Sequence, residues 1–302
     1  MAGGSSRNPP PWWPSRYGPE DTLGSGNELL PKRLLAALRI PRRGEVIELA
    51  PPLDAAAPRW ENRPWEQSIL AHGATEEHRG RSENGDTYLE EQIVGGLHNG
   101  CHIDALGHSG IDGRFYNGRA LEEVFGTLGL KTLGIEQAAP WITRGVCLDL
   151  AGLLELGRLA PGFVVEPAHL EGACRRQEVA IEPGDAVLLH TGWGGLYRDD
   201  PQRYLESEPG PGWDAARWLT DRRASLVGAD NWGFEAIPTE EGLRGQDFPV
   251  HQHLLAETGT FILENADTSA LVERTQGEFL FIAAPAKVAG ATAGPVNPLA
   301  VV

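Results

Sequence analysis

The sequence predicts one compact α/β domain, and three observations support this prediction. Short apolar runs typical of core strands are interspersed with a few helical segments. The chain shows no internal repeat period. No linker divides it after residue 11, so we expect residues 12–302 to form the domain and residues 1–11, which are mostly Gly, Ser and Pro, to be a disordered tail.

Each predicted element has a local signal. Proline at the start and leucines on one face indicate a first helix, and helices are expected at Pro31–Arg39, Pro167–Gln177, Gly212–Arg223 and Val250–Ala256. Apolar runs bounded by turn residues predict strands, at Glu45–Leu49, Thr87–Val94, Thr143–Asp149, Ala186–Thr191, Ser225–Ala229, Thr260–Glu264 and Phe279–Ala284. The last of these is expected to be the final core strand, followed by a Gly/Pro-rich tail over the surface at Val288–Val302.

The composition of the chain argues against nucleic-acid-binding, membrane-spanning and secreted proteins. The net charge of −16, from 26 basic and 42 acidic side chains, argues against nucleic acid or an anionic membrane as a partner. The three cysteines are widely spaced without a C-x-x-C pair, which favours reduced thiols and a cytoplasmic location. No stretch approaches the ~20 apolar residues of a membrane span, and the amino terminus lacks a signal-peptide pattern. We therefore expect a soluble intracellular protein.

The segment Leu97–Tyr116 carries the strongest functional signal. It holds three of the nine histidines, at positions 98, 102 and 108, with Asp104 between them. Imidazoles and a carboxylate suit a divalent cation. His98 and His102 would lie about 13 Å apart on a strand but within about 6 Å on a helical turn, so we expect a Gly-rich bend or a single turn here. His102 and Asp104 should then share a face, and His108 could reach the same ion or a second one. The alternative, a group of ordinary surface residues, fits poorly with the interleaved Gly, Ala, Ile and Leu.

The motif H-x-G-x-H-x-D-x-x-x-H at 98–108 resembles that of the cyclase-like metal-dependent hydrolases, a family that includes bacterial kynurenine formamidase and isatin hydrolase. Cys101 stands where the family usually has Thr. The Y-N-G at 116–118 is similar to a longer branch of the family, and 184–193 (GDAVLLHTGW) and 290–298 (GATAGPVNP) resemble two further family segments. The resemblance covers about Trp12–Val302. It implies a swivelling β/β/α fold, with a β-barrel-like core flanked by helices.

The resemblance also implies that two residues outside the segment complete the centre. The family has a His ahead of a Leu-Leu pair and a Glu at the end of the next strand, and these positions match His251 and Glu264. His253 is the rival for the first position, although its offset from the Leu-Leu pair fits less well. We assign the acid–base role to His251, since an imidazole exchanges a proton readily near neutral pH. His108 competes for that role.

The expected cofactor is one or two divalent ions, Zn²⁺ or Mn²⁺. His98, His102 and Asp104 would hold the first ion. A second ion would use Asp104, His108 and Glu264. Family relatives with an amide in place of this Glu resemble one-metal enzymes, so Glu264 favours two sites.

The resemblance implies a metal-dependent hydrolase whose metal-activated water cleaves a formamide, a cyclic amide or a lactone or ester of a small molecule. Two alternatives stay open: a lyase or cyclase that stabilises an enolate, and a non-catalytic metal- or ligand-binding protein with a closed coordination shell. A homodimer or homotetramer is expected by resemblance. The aromatic segment Trp12–Asn27 is either an arm packed on the body or one wall of a pocket.

Overall fold

The computed structural model describes residues 12–72, 83–275 and 277–302, so the expected tail at 1–11 lies outside the described residues. The body of this described part is a nine-stranded sheet, curled into a half-barrel and flanked by helices. The predicted α/β class and barrel-like core are therefore confirmed. Among the described residues, no helix is both long enough and apolar enough to cross a membrane.

The strands, in chain order, are β1 (Val46–Glu48), β2 (Trp65–His72), β3 (Tyr88–Gly95), β4 (His102–Asp104), β5 (Arg114–Phe115), β6 (Arg119–Ala120), β7 (Trp141–Asp149), β8 (Val164–Val165), β9 (Ala186–His190), β10 (Gly210–Pro211), β11 (Leu226–Ala229), β12 (Phe261–Glu264), β13 (Glu278–Ala283), β14 (Ala293–Pro295) and β15 (Leu299–Val301). The α-helices are α1 (Pro31–Ala37), α2 (Leu121–Val124), α3 (Leu150–Leu153), α4 (Pro167–Arg176), α5 (Leu196–Asp199), α6 (Pro201–Glu206), α7 (Trp213–Asp221), α8 (Pro249–His251) and α9 (Ser269–Arg274). A π-helix (Gln252–Thr258) continues α8, and short 3₁₀ segments lie at Gly24–Glu28, Tyr116–Gly118, Ile135–Gln137, Trp193–Gly195 and Glu241–Leu243.

The strand order of the sheet is β1-β15-β13-β7-β9-β11-β12-β4-β14. Its centre, from β7 to β12, consists of parallel neighbours whose residues are mostly buried. Antiparallel strands extend it on both sides. Three central strands end in polar side chains at the same edge, namely Asp149, His190 and Glu264. The carboxyl edge of parallel strands is the usual place for a ligand in an open α/β sheet, and the site described below lies there.

The Gly/Pro-rich segment at the end of the chain was predicted to be a tail over the surface. In the structure it instead contributes two strands to the sheet. Strand β14 pairs with β4, and β15 lies between β1 and β13. Ala293 and Ala300 in these strands are fully buried. Three-residue strands are too short for a periodic sequence signal, so their pairing comes from the backbone hydrogen bonds of their neighbours. The prediction that Phe279–Ala284 forms the final strand is wrong for the same reason.

A separate hairpin lies outside the main sheet. The predicted strand Thr87–Val94 is present as β3, but in the described part of the chain its ladder partner is β2, which the sequence did not predict. Every residue of β3 is exposed, including Leu89 (62%) and Ile93 (51%). The hairpin therefore presents apolar side chains that the described part of the chain leaves exposed.

The aromatic segment Trp12–Asn27 packs on the body as an arm. The Asn117 side chain donates to three backbone carbonyls of the arm. The Tyr116 hydroxyl donates to Asp21 at 2.6 Å. The Trp13 ring lies so close to Gly118 that a Cβ there would collide with it. These contacts favour the packed arm over the pocket wall.

Candidate metal centre

Strand β4 and the turns beside it position four of the predicted site residues. The turn before β4 bends at Gly100, whose φ of +65° is a left-handed conformation that glycine adopts readily. His102 and Asp104 are the first and last residues of β4 and have buried side chains on the same face. His98 lies in the turn before the strand, and His108 in the turn after it. The local geometry is the Gly-rich bend that the sequence predicts.

Two residues from distant parts of the chain join this group. Strand β12 pairs with β4 in the register that sets Glu264 opposite His102. The Nε2 atom of His102 lies 3.3 Å from Glu264 Oε2 and 3.3 Å from Asp104 Oδ1. His251 ends α8, and its Nε2 lies 3.1 Å from Glu264 Oε1 and 3.7 Å from Asp104 Oδ2. The structure thus brings all six predicted site residues together around Asp104.

The two remaining histidines lie on the solvent side of Asp104. His98 Nδ1 is 3.0 Å from Asp104 Oδ1, and its Nε2 shares a 3.0 Å hydrogen bond with Thr292 Oγ1. His108 Nε2 is 4.0 Å from Asp104 Oδ2, and the ring centroids of His98 and His108 are 4.2 Å apart. The side chain of His108 is 30% exposed, whereas that of Asp104 is fully buried. The cluster is therefore closed by protein on one side and open at His108.

The donor atoms suit a divalent cation. His102 Nε2 and both carboxylate oxygens of Asp104 are buried without a hydrogen-bond partner, although buried polar atoms are nearly always partnered. A cation among them would satisfy all three with the nitrogen and oxygen ligands that Zn²⁺ and Mn²⁺ accept. Two groups of ligand atoms lie within 4.8 Å of one another, His98 with Asp104 and His108, and His102 with Asp104 and Glu264. This grouping differs from the two sets expected from sequence, but Asp104 is shared in both.

The electrostatics of the cluster keep its carboxylates ionised in the metal-free protein. Burial lowers the pKa of His102, but Asp104 and Glu264 outweigh burial and raise this pKa to about 10. Burial raises the pKa of Asp104, but electrostatic interactions with His108 and His98 and hydrogen bonds from His102 and His98 hold it well below its usual value. Burial likewise opposes ionisation of Glu264, and its histidine neighbours lower that pKa. The anionic oxygens that a cation requires are therefore present.

The two candidate acid–base histidines have opposite properties. Burial lowers the pKa of His108 to about 4, so its imidazole is neutral at pH 7 and able to accept a proton. Burial also lowers the pKa of His251, but hydrogen bonds to Glu235 and Glu264 raise it well above its usual value. Both side chains are at least partly buried, but that of His108 is the more accessible, at 30% exposed against 6% for His251.

The rival residue His253 makes its contacts elsewhere. Its Nδ1 hydrogen-bonds Glu257 at 2.7 Å, and its Nε2 hydrogen-bonds Thr220 at 3.1 Å. Its ring packs against Trp213. His253 is a partnered core residue, and the structure favours His251 as the member of the centre.

Sequence reasoning missed Glu235. Its Oε1 accepts a hydrogen bond from the backbone N–H of His251 at 2.9 Å and contacts His251 Nδ1 at 2.8 Å. No spacing rule links two residues in different elements, so motif reasoning had no means of finding it. The available signal was a single carboxylate in the apolar stretch from Trp232 to Ile237, since charged residues are rarely buried without a partner.

Comparisons with known proteins identify the family of the chain. A family model described as putative cyclase matches residues 47–236. The isatin hydrolase of Roseibium aggregatum is 27% identical over 227 residues, which cover 72% of this chain and 77% of that protein.

Solved structures extend the likeness to almost the whole fold. The crystal structure of a protein described as a novel cyclase has a TM-score of 0.86 at 29% identity, covering 95% of this chain and 96% of that one. Isatin hydrolase A from Ralstonia solanacearum has a TM-score of 0.64 at 20% identity, covering 88% and 93%, and shows the shared fold. Since the family model matches more than half of the sequence, the chain belongs to the putative cyclase family.

Proposed function

We propose that this protein is a metal-dependent hydrolase that cleaves the acyl C–N or C–O bond of a small-molecule amide or lactone. The observation that carries the proposal is the pair of buried, unpartnered oxygens of Asp104, surrounded by histidine nitrogens and by Glu264. The relative named isatin hydrolase is a hydrolase by name, which supports the same class of reaction here.

We propose one or two divalent ions, Zn²⁺ or Mn²⁺, with Asp104 as the shared ligand. Such an ion, when bound, polarises the substrate carbonyl and makes a water molecule acidic enough to ionise near pH 7. The buried carboxylates of Asp104 and Glu264 supply two negative charges to hold it. The open side at His108 gives the centre access to solvent, whereas a storage or structural site would be closed by protein ligands.

We propose a proton-transfer residue from the contacts of the two candidate histidines. The sequence predicts this role for His251, with His108 as its competitor, and the contacts favour the competitor. His251 directs Nε2 at Glu264 and has Nδ1 held by a second carboxylate, an arrangement typical of a metal ligand. His108 is neutral and faces the opening. We therefore propose His108 as the acid–base residue and His251 as a ligand.

An aromatic wall beside the centre supports a flat substrate. The ring centroids of Phe248 and His251 are 5.2 Å apart. Those of Trp232 and Phe248 are 6.3 Å apart, and those of Trp60 and Trp232 are 5.0 Å apart. Phe248 and Trp60 are both exposed, so their rings are accessible from outside. Such surfaces bury planar rings at low entropic cost, and we propose cyclic or aryl amides and lactones as the substrate class.

Metal content and a substrate screen together test the proposal. The purified protein should carry about one to two equivalents of Zn²⁺ or Mn²⁺, and the reconstituted protein should hydrolyse a member of a panel of formamides, cyclic amides and lactones. Asp104→Ala should lose most of the metal, because it removes the shared ligand. The matched control is Asp267→Ala, which removes an exposed carboxylate three residues after Glu264. Full metal content in Asp104→Ala would exclude this site.

A further inference from the structure

We infer that Glu235 is a positioning residue of the metal centre, which fixes the orientation and the tautomer of His251 so that Nε2 is directed at the bound ion. This inference rests on the metal centre proposed above. It concerns a residue outside every sequence motif of the chain.

The contacts of Glu235 are concentrated on one short segment. One oxygen, Oε1, accepts from the backbone N–H of His251 at 2.9 Å and lies 2.8 Å from its Nδ1, and Oε2 accepts from the N–H of Val250 at 3.3 Å. An ionised carboxylate only accepts hydrogen bonds, so Nδ1 must carry a hydrogen. The neutral imidazole that binds a cation then has its lone pair on Nε2, the atom 3.1 Å from Glu264 and 3.7 Å from Asp104.

The backbone that carries Glu235 is itself tied down, so the carboxylate is held in place before any ion arrives. Asn231 bridges the loop, accepting from the N–H of Phe234 at 3.0 Å and donating to its carbonyl at 3.1 Å. The buried Glu208 accepts from two backbone N–H groups of the loop at 2.8 and 3.2 Å. Its own backbone pairs with Ile237 in both directions, at 3.0 and 2.9 Å. The backbone is therefore held by hydrogen bonds on both sides of Glu235, at residues 232–234 and at Ile237.

A second histidine–carboxylate pair provides an internal comparison. His253 lies two residues after His251 in the same helical segment, and its Nδ1 lies 2.7 Å from a carboxylate oxygen of Glu257. The Nε2 of His253 faces Thr220 rather than the cluster. The two pairs share their chemistry, although the Glu257 side chain is 21% exposed and that of Glu235 only 2%, and only the pair with Glu235 lies behind a ligand proposed above. Any effect confined to Glu235 therefore acts through the centre.

The test compares Glu235→Gln with the matched control Glu257→Gln. Glutamine keeps an oxygen acceptor at nearly the same position but removes the charge, and circular dichroism verifies that both variants fold. The affinities for Zn²⁺ and for Mn²⁺ are measured by competition with a chelating dye. Loss of a carboxylate behind a metal-bound histidine weakens binding by about 10- to 100-fold. We expect a loss of this size for Glu235→Gln, with unchanged stoichiometry at saturating metal, and wild-type affinity for Glu257→Gln.

A spectroscopic readout separates positioning from a general structural role. Co²⁺ loaded into the two variants should give an altered absorption spectrum in Glu235→Gln and the wild-type spectrum in Glu257→Gln, because the spectrum reports ligand geometry. Wild-type affinity in Glu235→Gln, or an equal loss in both variants, overturns the inference. If the wild-type protein binds none of the three metals, the proposed metal centre fails. If the wild type binds metal and Glu235→Gln matches it, only the present inference fails.

Discussion

The raised pKa of His102 predicts that the metal-free protein loses stability as the pH rises. His102 is fully buried between Asp104 and Glu264, and its pKa increases from 6.5 to about 10 on folding. A group with a raised folded-state pKa contributes its full stabilisation below its unfolded pKa and loses it as the pH rises through the folded value. At about 1.4 kcal/mol per pKa unit, the full contribution is about 5 kcal/mol. About 2 kcal/mol of it is lost between pH 6.5 and 8.5.

Thermal denaturation in the presence of a chelator measures this loss. A chain of 302 residues unfolds with an entropy of about 2.1 cal/mol/K per residue, so 2 kcal/mol lowers the melting temperature by about 3 °C. The control variant His102→Asn cannot be protonated and should show a smaller decrease. Saturating metal should reverse the trend, because the ion requires unprotonated nitrogens and is bound more tightly as the pH rises. A metal-free protein that is equally stable at both pH values, or the same decrease in His102→Asn, would refute the argument.

Three further predictions follow from other parts of the structure. His108→Ala should keep its metal and lose about 10²- to 10⁴-fold in turnover, measured by metal analysis and steady-state kinetics, and a loss of metal instead would make it a ligand. The exposed hairpin should lie in the interface of a homodimer or larger assembly, since an isolated two-stranded hairpin is marginally stable in water. Replacing Leu89 and Ile93 with Lys should then shift the sedimenting species to the 32.6 kDa monomer. A wild-type protein that is already monomeric would contradict this prediction. Gly24→Ala should destabilise the fold by about 3 kcal/mol in urea denaturation, because its φ of +53° is strained for Ala and the Cβ would collide with a backbone oxygen. Gly44→Ala, with a φ of +66° and free space, isolates the backbone contribution of about 1 kcal/mol, and equal losses in the two variants would exclude the collision.

The local part of the candidate site could be predicted from the sequence. His98, His102, Asp104 and His108 lie within eleven positions, so their spacing and the glycine bend bring them close together, although the strand β4 itself depends on pairing with β12 and β14. The long buried strands were predicted for the same reason, since the apolar run of β9 determines a strand in any sheet context. His251 and Glu264 were found through the family resemblance rather than through spacing.

The tertiary structure decided every feature that depends on which elements become neighbours. Glu264 faces His102 only because β12 pairs with β4 in one register, and a shift of one residue would turn the carboxylate to the other side of the sheet. Glu235 reaches His251 only because its loop is held by Glu208 and Asn231.

The same reason explains why the sequence did not predict several strands. The short strands β14 and β15 are stabilised by ladders with distant partners, and the hairpin strand β2 was recognised only through its pairing with β3. Local propensity and periodicity, which a sequence displays directly, determine where a strand or a bend can form. Its partners are determined by burial and backbone hydrogen bonding between residues far apart in the chain, which only the folded structure brings together.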